Sequence, residues 1–195
     1  MDQIDKLLPT LISTCHALQS KWAKSEMKGA TERAVKLMRE MPDYGVAPDE
    51  CSYNSVLHAM TKESDPKWVK RAEEMFEEMK EKVSVSQITY HVMMNIYGKS
   101  KDKDGARKAE ELLRRMVQEK DIFPSDISYN ICIDAYARRG DHGNAVRLLE
   151  EMISLSDKGN EECRPTIHSF ASVVIFMSSP SLLILPIRYS LYTLD

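Results

Sequence analysis

The chain has few of the residues from which metal centres, disulfide frameworks and phosphate loops are built. Its four cysteines, Cys15, Cys51, Cys132 and Cys163, fall in no paired metal-ligand spacing and are too sparse for a disulfide scaffold. They read as reduced thiols of an intracellular protein. The five histidines are scattered, with no His-x-x-x-His pair to share one helix face, so neither a metal nor any other cofactor is expected. Glycine is scarce, and no glycine-rich phosphate cradle or Gly-x-Ser-x-Gly elbow occurs. An enzyme with a small-molecule substrate is therefore not expected. A basic excess is missing too: 27 Lys and Arg face 30 Asp and Glu, a net charge of −3, the opposite of a strong nucleic-acid footprint. The apolar residues Leu182–Leu185 and Ile187 are too few for a membrane span. The opening run Met1–Leu8 has the pattern of neither a secretory signal nor an Arg/Ser-rich transit peptide.

What the chain has is periodicity. From Tyr129 to Met152, apolar residues recur at i, i+3, i+4 and i+7: Tyr129, Cys132, Ile133, Tyr136, then Ala145, Leu148, Leu149, Met152. Each set makes one stripe on an α-helix, and a glycine-punctuated turn over 137–144 separates them. The pattern repeats. Tyr53, Val56, Leu57, Met60 pair with Ala72, Met75, Phe76, Met79, and Tyr90, Met93, Met94, Tyr97 with Ala109, Leu112, Leu113, Met116. A looser copy runs through Cys15, Leu18 and Trp22 to Ala34, Leu37, Met38 and Met41, and a half copy holds Phe170, Val173, Val174 and Met177. Lead residues lie 37 to 41 apart, and the step from alanine to closing methionine is 7 in all four full copies. A helical hairpin repeated at a near-fixed period needs its neighbours to bury its stripes, which predicts an all-α solenoid. Most of the twelve methionines fall on stripe positions, as core filler.

The predicted repeats cover 12–49, 50–86, 87–125 and 126–166, with a half repeat over 167–177. Pro48, Pro124 and Pro165 each precede a new first helix, Gly29 falls in a turn and Pro42 closes a second helix. The turns before Ala34, Ala72 and Ala109 (the last two over 62–66 and 98–105) are expected to hold three residues more than the one before Ala145, lengthening the hairpin tips but leaving both stripes in register. The run 154–162 reads as a polar surface loop, and the acids of the second helices as solvated faces, with Glu78–Lys82 a surface pair. The stretch 178–195, with two prolines and no alanine–methionine stripe, is a poor cap for an array. It reads as the end of a truncated or wrongly terminated piece of a longer array.

The runs Pro48-Asp49-Glu-Cys-Ser52-Tyr53-Asn54 and Pro124-Ser125-Asp-Ile-Ser128-Tyr129-Asn130, each followed by an Ala-x-x-Leu/Met-Leu/Phe-x-x-Met helix, resemble the pentatricopeptide repeat family. Ser86-Gln-Ile-Thr89-Tyr90-His91 and Pro165-Thr166-Ile-His-Ser169-Phe170-Ala171 are less complete copies. The resemblance extends over 12–177 and implies a right-handed superhelix of hairpins that binds single-stranded RNA, one base per repeat. It also implies a mitochondrial or chloroplast location and a role in RNA processing, stability or translation. By the same resemblance the base-reading pairs are His16 with Asp49, Asn54 with Ser86, His91 with Ser125, and Asn130 with Thr166. Asn54 with Ser86 resembles pairs that favour a pyrimidine, cytosine first; Asn130 with Thr166 leans the same way; the two histidine repeats receive no base. Cys51, Ile88 and Ile127, two places before the lead, would wedge against a base face, while Ser13 in the first copy is not apolar enough.

Each assignment has a plainer counterpart. Asn, Ser and Asp at helix starts also serve as caps. The basic residue nine places after each lead (Lys24, Lys62, Lys99, Arg138) could neutralise a phosphate or complement a helix dipole. Two other functions stay open on the sequence: a protein–protein scaffold using the same groove, which the acidic balance favours, and an orphan fragment with no function of its own.

Overall fold

The computed structural model describes residues 29–63, 65–119 and 122–176. Ser13, His16, Lys24 and the first helix expected over 11–24 lie outside them, as do Met177 and the stretch 178–195. Within them are eight α-helices and two short 3₁₀ turns and no strand, and among them no helix is long and apolar enough to cross a membrane. The chain divides into two compact units, 1–96 and 97–195.

In the first unit, α1 (Ala30–Glu40) starts after Gly29, which has a positive φ of 77°. It runs into a 3₁₀ turn, Met41–Tyr44, that contains Pro42. α2 (Glu50–Met60) is started by Asp49, whose carboxylate accepts the Ser52 N–H at 2.9 Å and the Ser52 hydroxyl at 2.8 Å. That satisfies one of the four orphan amides of a helix start. α3 (Pro66–Lys82) is capped by Asp65 and has Pro66 at its first position, where a missing N–H costs nothing. Helix α1 packs on α2 and α2 on α3. All eight stripe residues of α2 and α3 are buried, and the Phe76 ring meets Tyr90 of α4 (Gln87–Lys99) edge-on at 5.5 Å.

The second unit begins at Tyr97, within α4. It holds α5 (Gly105–Met116), α6 (Asp126–Ala137), α7 (His142–Asp157) and α8 (Ile167–Phe176). Helix α6 packs on α5, α7 and α8. The stripes of α5, α6 and α7 are buried throughout. Tyr97 and Leu37 are only half-buried and Val174 is exposed.

Several local expectations are corrected. The hairpin tips are five residues long between α2 and α3 and between α4 and α5, and four between α6 and α7. Only one of the three extra residues lengthens the tip; the others lie in the helices. Pro66 starts α3 three residues earlier relative to its alanine than His142 starts α7, with α2 ending one sooner, and α4 and α5 each gain one residue. Gly98 and Gly105 are not turn residues but buried helical ones. A Cβ on Gly98 would come within 3.2 Å of the Ala135 Cβ, and one on Gly105 would collide with the Tyr97 carbonyl and the Arg139 guanidinium. These glycines permit close approach. The turn after α6 is confined to 138–141, and Gly143 is helical. Helix α7 continues through Asp157, so the expected loop over 154–162 shrinks to three residues before the 3₁₀ turn Glu161–Cys163.

Candidate nucleic-acid interface

The base-reading candidates sit at two places on each first helix, its N-cap and its fifth residue or nearby. Asp49 and Ser125 are N-caps. Ser125 forms a reciprocal capping box with Ser128, its own N–H donating to the Ser128 hydroxyl at 3.1 Å. Thr166 has half of that arrangement, its N–H donating to the Ser169 hydroxyl at 2.9 Å. The capping counterpart is therefore real at Asp49 and Ser125. Ser86 differs: its hydroxyl is buried with no partner, and so is that of Thr89, three residues on.

The asparagines are more revealing. Asn54 donates its amide N–H to Glu50 Oε1 at 3.4 Å, while its Oδ1 is buried and accepts nothing. Asn130 donates to Thr166 Oγ1 at 3.4 Å, so the structure brings that expected pair together, and its Oδ1 too is buried without a partner. Among the described residues six side-chain nitrogen or oxygen atoms are buried and unpartnered, and three belong to Asn54, Ser86 and Asn130. A buried polar group left unsatisfied costs about 1–3 kcal/mol and calls for a reason. His91, half-buried, accepts Asn95 Nδ2 on its carbonyl at 3.0 Å. It belongs to the first unit and Ser125 to the second. His16, the residue expected to read a base with Asp49, lies outside the described residues.

The wedge candidates are exposed: Cys51 on α2, Ile88 at 63% on α4 and Ile127 at 53% on α6. Isoleucines at that exposure, on helices whose stripe residues Tyr90, Met93, Tyr129 and Ile133 are buried, are not core filler. Of the basic candidates, Lys62, Lys99 and Arg138 are all exposed, at the ends of α2, α4 and α6. Arg138 pairs with Asp134 at 2.6 Å. With Lys99, Lys101, Lys103 and Asp102 it lines a shallow cavity of about 420 Å³ beside the α4–α5 tip.

Three groups escaped the sequence reading. Arg139, the neighbour of Arg138, is a structural brace: its guanidinium donates to the carbonyl oxygens of Gly98, Ser100, Ala135, Tyr97 and Asp102 at 2.8 to 3.3 Å. No spacing rule separates it from Arg138. The second group corrects the view that second-helix acids are merely solvated. Tyr53 donates its hydroxyl to Glu78 at 3.1 Å, Tyr129 to Glu151 at 2.8 Å and Tyr136 to Glu110 at 2.7 Å. Arg114 bridges Glu110 and Glu151, and Arg147 also binds Glu110 at 2.8 Å. Burial would raise the Glu110 pKa, but the bonds from Arg147, Tyr136 and Arg114 outweigh it and hold the carboxyl below the ordinary range. The Arg114 bond does the same for Glu151 against its burial, while burial and then the carboxylates push the Tyr129 and Tyr136 hydroxyls up. A signal existed: a buried tyrosine needs a hydroxyl partner, and Glu78 and Glu151 each immediately precede a closing methionine. The third is Glu50, the partner of Asn54. No group of three or more His, Cys, Asp or Glu side chains among the described residues could hold a metal ion.

Buried stripes on successive helical hairpins, with polar residues in register at the start of each first helix, define a helical-hairpin repeat protein. The Pentatricopeptide repeat domain family matches residues 36–100 and the PPR repeat family residues 127–156. The chain belongs to the pentatricopeptide repeat family. It is 31% identical over 151 residues to a pentatricopeptide repeat-containing protein of Arabidopsis thaliana described as chloroplastic, covering 75% of this chain and 19% of that one. The chain thus spans about a fifth of that relative's length. Two solved structures share its α-solenoid fold. The pentatricopeptide repeat protein PPR10 from maize superposes with a TM-score of 0.63 at 24% identity, over 84% of this chain and 21% of that one. The PPR domain of Arabidopsis thaliana protein-only RNase P 1, solved in complex with tRNA, superposes with a TM-score of 0.64 at 19% identity, over 94% and 83%.

Proposed function

We propose that the chain is a sequence-selective single-stranded RNA-binding module, acting on organellar transcripts by occupancy and carrying no chemistry of its own. The observation that carries this reading is the concentration of unpartnered buried oxygens at Asn54, Ser86 and Asn130. A rotation of the terminal amide torsion, which is broad and soft, turns Asn130 Oδ1 to the edge of a base and recovers the hydrogen bond missing in the free protein, while Asn54 meets a base with its amide N–H. The exposed side chains of Ile88 and Ile127 offer apolar faces for stacking, and Lys62 and Lys99 offer charge for phosphates. Relatives bear on it as well: the superposed RNase P domain was solved with tRNA and the aligned Arabidopsis protein is chloroplastic. Each repeat reads one base through two side chains, as such repeat families do, over the repeats 12–49, 50–86, 87–125 and 126–166.

The test is selection from a randomised pool of single-stranded RNA at two salt concentrations, beside an Asn54→Ala, Asn130→Ala double variant. The expected result is a short pyrimidine-biased motif, lost in the variant and weakened by salt, with a slope of about 0.7 per phosphate contact on a log–log plot. No binding at low salt overturns the proposal in favour of a protein-binding groove.

A further inference from the structure

We infer that Glu50 is a specificity-determining residue of the first unit, forming with Asn54 a composite edge that selects cytosine over uracil. The inference rests on the base-reading role proposed for Asn54 and adds a residue that the reading does not contain.

The geometry is local to α2. Glu50 and Asn54 lie one helical turn apart, both half-buried, with Asn54 Nδ2 donating to Glu50 Oε1 at 3.4 Å. Asn54 Oδ1 is turned inward, shielded from water. Helix α2 itself then offers the second N–H of the amide and the carboxylate beside it, a donor next to an acceptor. The Watson–Crick edge of cytosine offers the complement, an amino donor adjacent to the N3 acceptor. Uracil offers the reverse, a carbonyl O4 beside an N3–H, and would set its O4 against a carboxylate. Acidic side chains accept from the cytosine amino group for the same reason.

The corresponding pair in the second unit shows why an acid at that position is not sufficient. Asp126 holds the place of Glu50, but its shorter side chain turns back and Oδ1 accepts the Ile127 N–H at 2.7 Å. Asn130 donates instead to Thr166 at 3.4 Å. The carboxylate is absent from that edge, so cytosine and uracil are expected to be nearly equivalent there.

The experiment uses the whole chain and two RNAs derived from its selected motif. They differ only by cytosine or uracil at the nucleotide whose preference disappears in Asn54→Ala. The wild-type chain should prefer cytosine by about tenfold, the discrimination of a good two-bond edge. Glu50→Ala should bring the ratio near unity, and Glu50→Lys, whose ammonium would draw Oδ1 outward, should favour uracil. Glu50→Gln, which keeps an acceptor oxygen, should retain the cytosine preference, and Asp126→Ala should leave the Asn130 nucleotide unchanged. A cytosine preference that persists undiminished in Glu50→Ala and Glu50→Lys overturns the inference while leaving base reading intact. A wild-type chain with no base preference anywhere overturns the base-reading proposal and this inference with it.

Discussion

Replacing Asn54 by leucine should make the free protein more stable while removing its nucleotide preference. Leucine keeps the branch at Cγ and puts a methyl group where the unpartnered Oδ1 is buried. Relief of that oxygen is worth about 1–3 kcal/mol. The lost bond to Glu50, at 3.4 Å near the limit of hydrogen-bond geometry, is replaced by water on a half-exposed carboxylate and costs at most about 0.5 kcal/mol. Helix propensity adds about 0.5 kcal/mol in favour of leucine. That last gain needs a control, and Asn95→Leu supplies it. Asn95 sits in α4, bonds the His91 carbonyl at 3.0 Å and has no oxygen that is both buried and unpartnered. Its propensity gain and bond loss should nearly cancel. Asn54→Leu should therefore exceed Asn95→Leu by about 1–3 kcal/mol, a midpoint difference of about 2–12 °C for a chain of this size. Urea and thermal melts of both variants, beside RNA selection, are the assay. Stability and selectivity moving in opposite directions is the behaviour of a site kept for function. Equal stability of the two variants would refute the argument, because Oδ1 would then carry no penalty.

Other perturbations separate structure from binding. Arg139→Ala should cost about 3 kcal/mol, since several backbone carbonyls lose a charged donor at once, and Arg139→Lys should restore little, a single ammonium being unable to fork among them. Arg138→Ala should change stability by less than about 1 kcal/mol, its pair with Asp134 being exposed, yet lower the salt slope of RNA binding by about 0.7; an unchanged slope removes Arg138 from the phosphate set. Gly105→Ala should destabilise by about 1–3 kcal/mol through collision with the Tyr97 carbonyl, measurable by denaturant titration. Glu110 and Glu151 have pKa values held below 4.5 in the folded chain. Their stabilisation is thus fully present above the unfolded value and is lost as pH falls through the lower folded values. A Glu110→Gln, Glu151→Gln variant should be less stable than wild type at neutral pH, and the gap should close on acidification below about pH 4.5. A gap independent of pH would exclude this origin.

Periodicity alone determined the hairpins. A four-residue stripe at helical spacing can be buried only by a neighbour carrying the same stripe, so Tyr53 to Met60 and Ala145 to Met152 were legible as core before any coordinates. The places of the base-reading candidates were legible too, because they follow from register with the lead aromatic. What the sequence could not decide was hydrogen-bond commitment. Asp49, Ser86, Ser125 and Thr166 look equivalent in register, yet Asp49 and Ser125 cap their helices, the Thr166 hydroxyl meets Asn130 and Ser169, and the Ser86 hydroxyl meets nothing. Glu50 and Asp126 look equivalent, yet one reaches its asparagine and the other its neighbour's amide. Arg138 and Arg139 are adjacent and alike, but one faces water and the other is wrapped by carbonyls from the preceding hairpin tip. Apolar burial is non-directional and adds up along a pattern, so a sequence reveals it. Hydrogen bonding depends on tenths of an ångström and on which partner arrives first, and only the tertiary structure settles that.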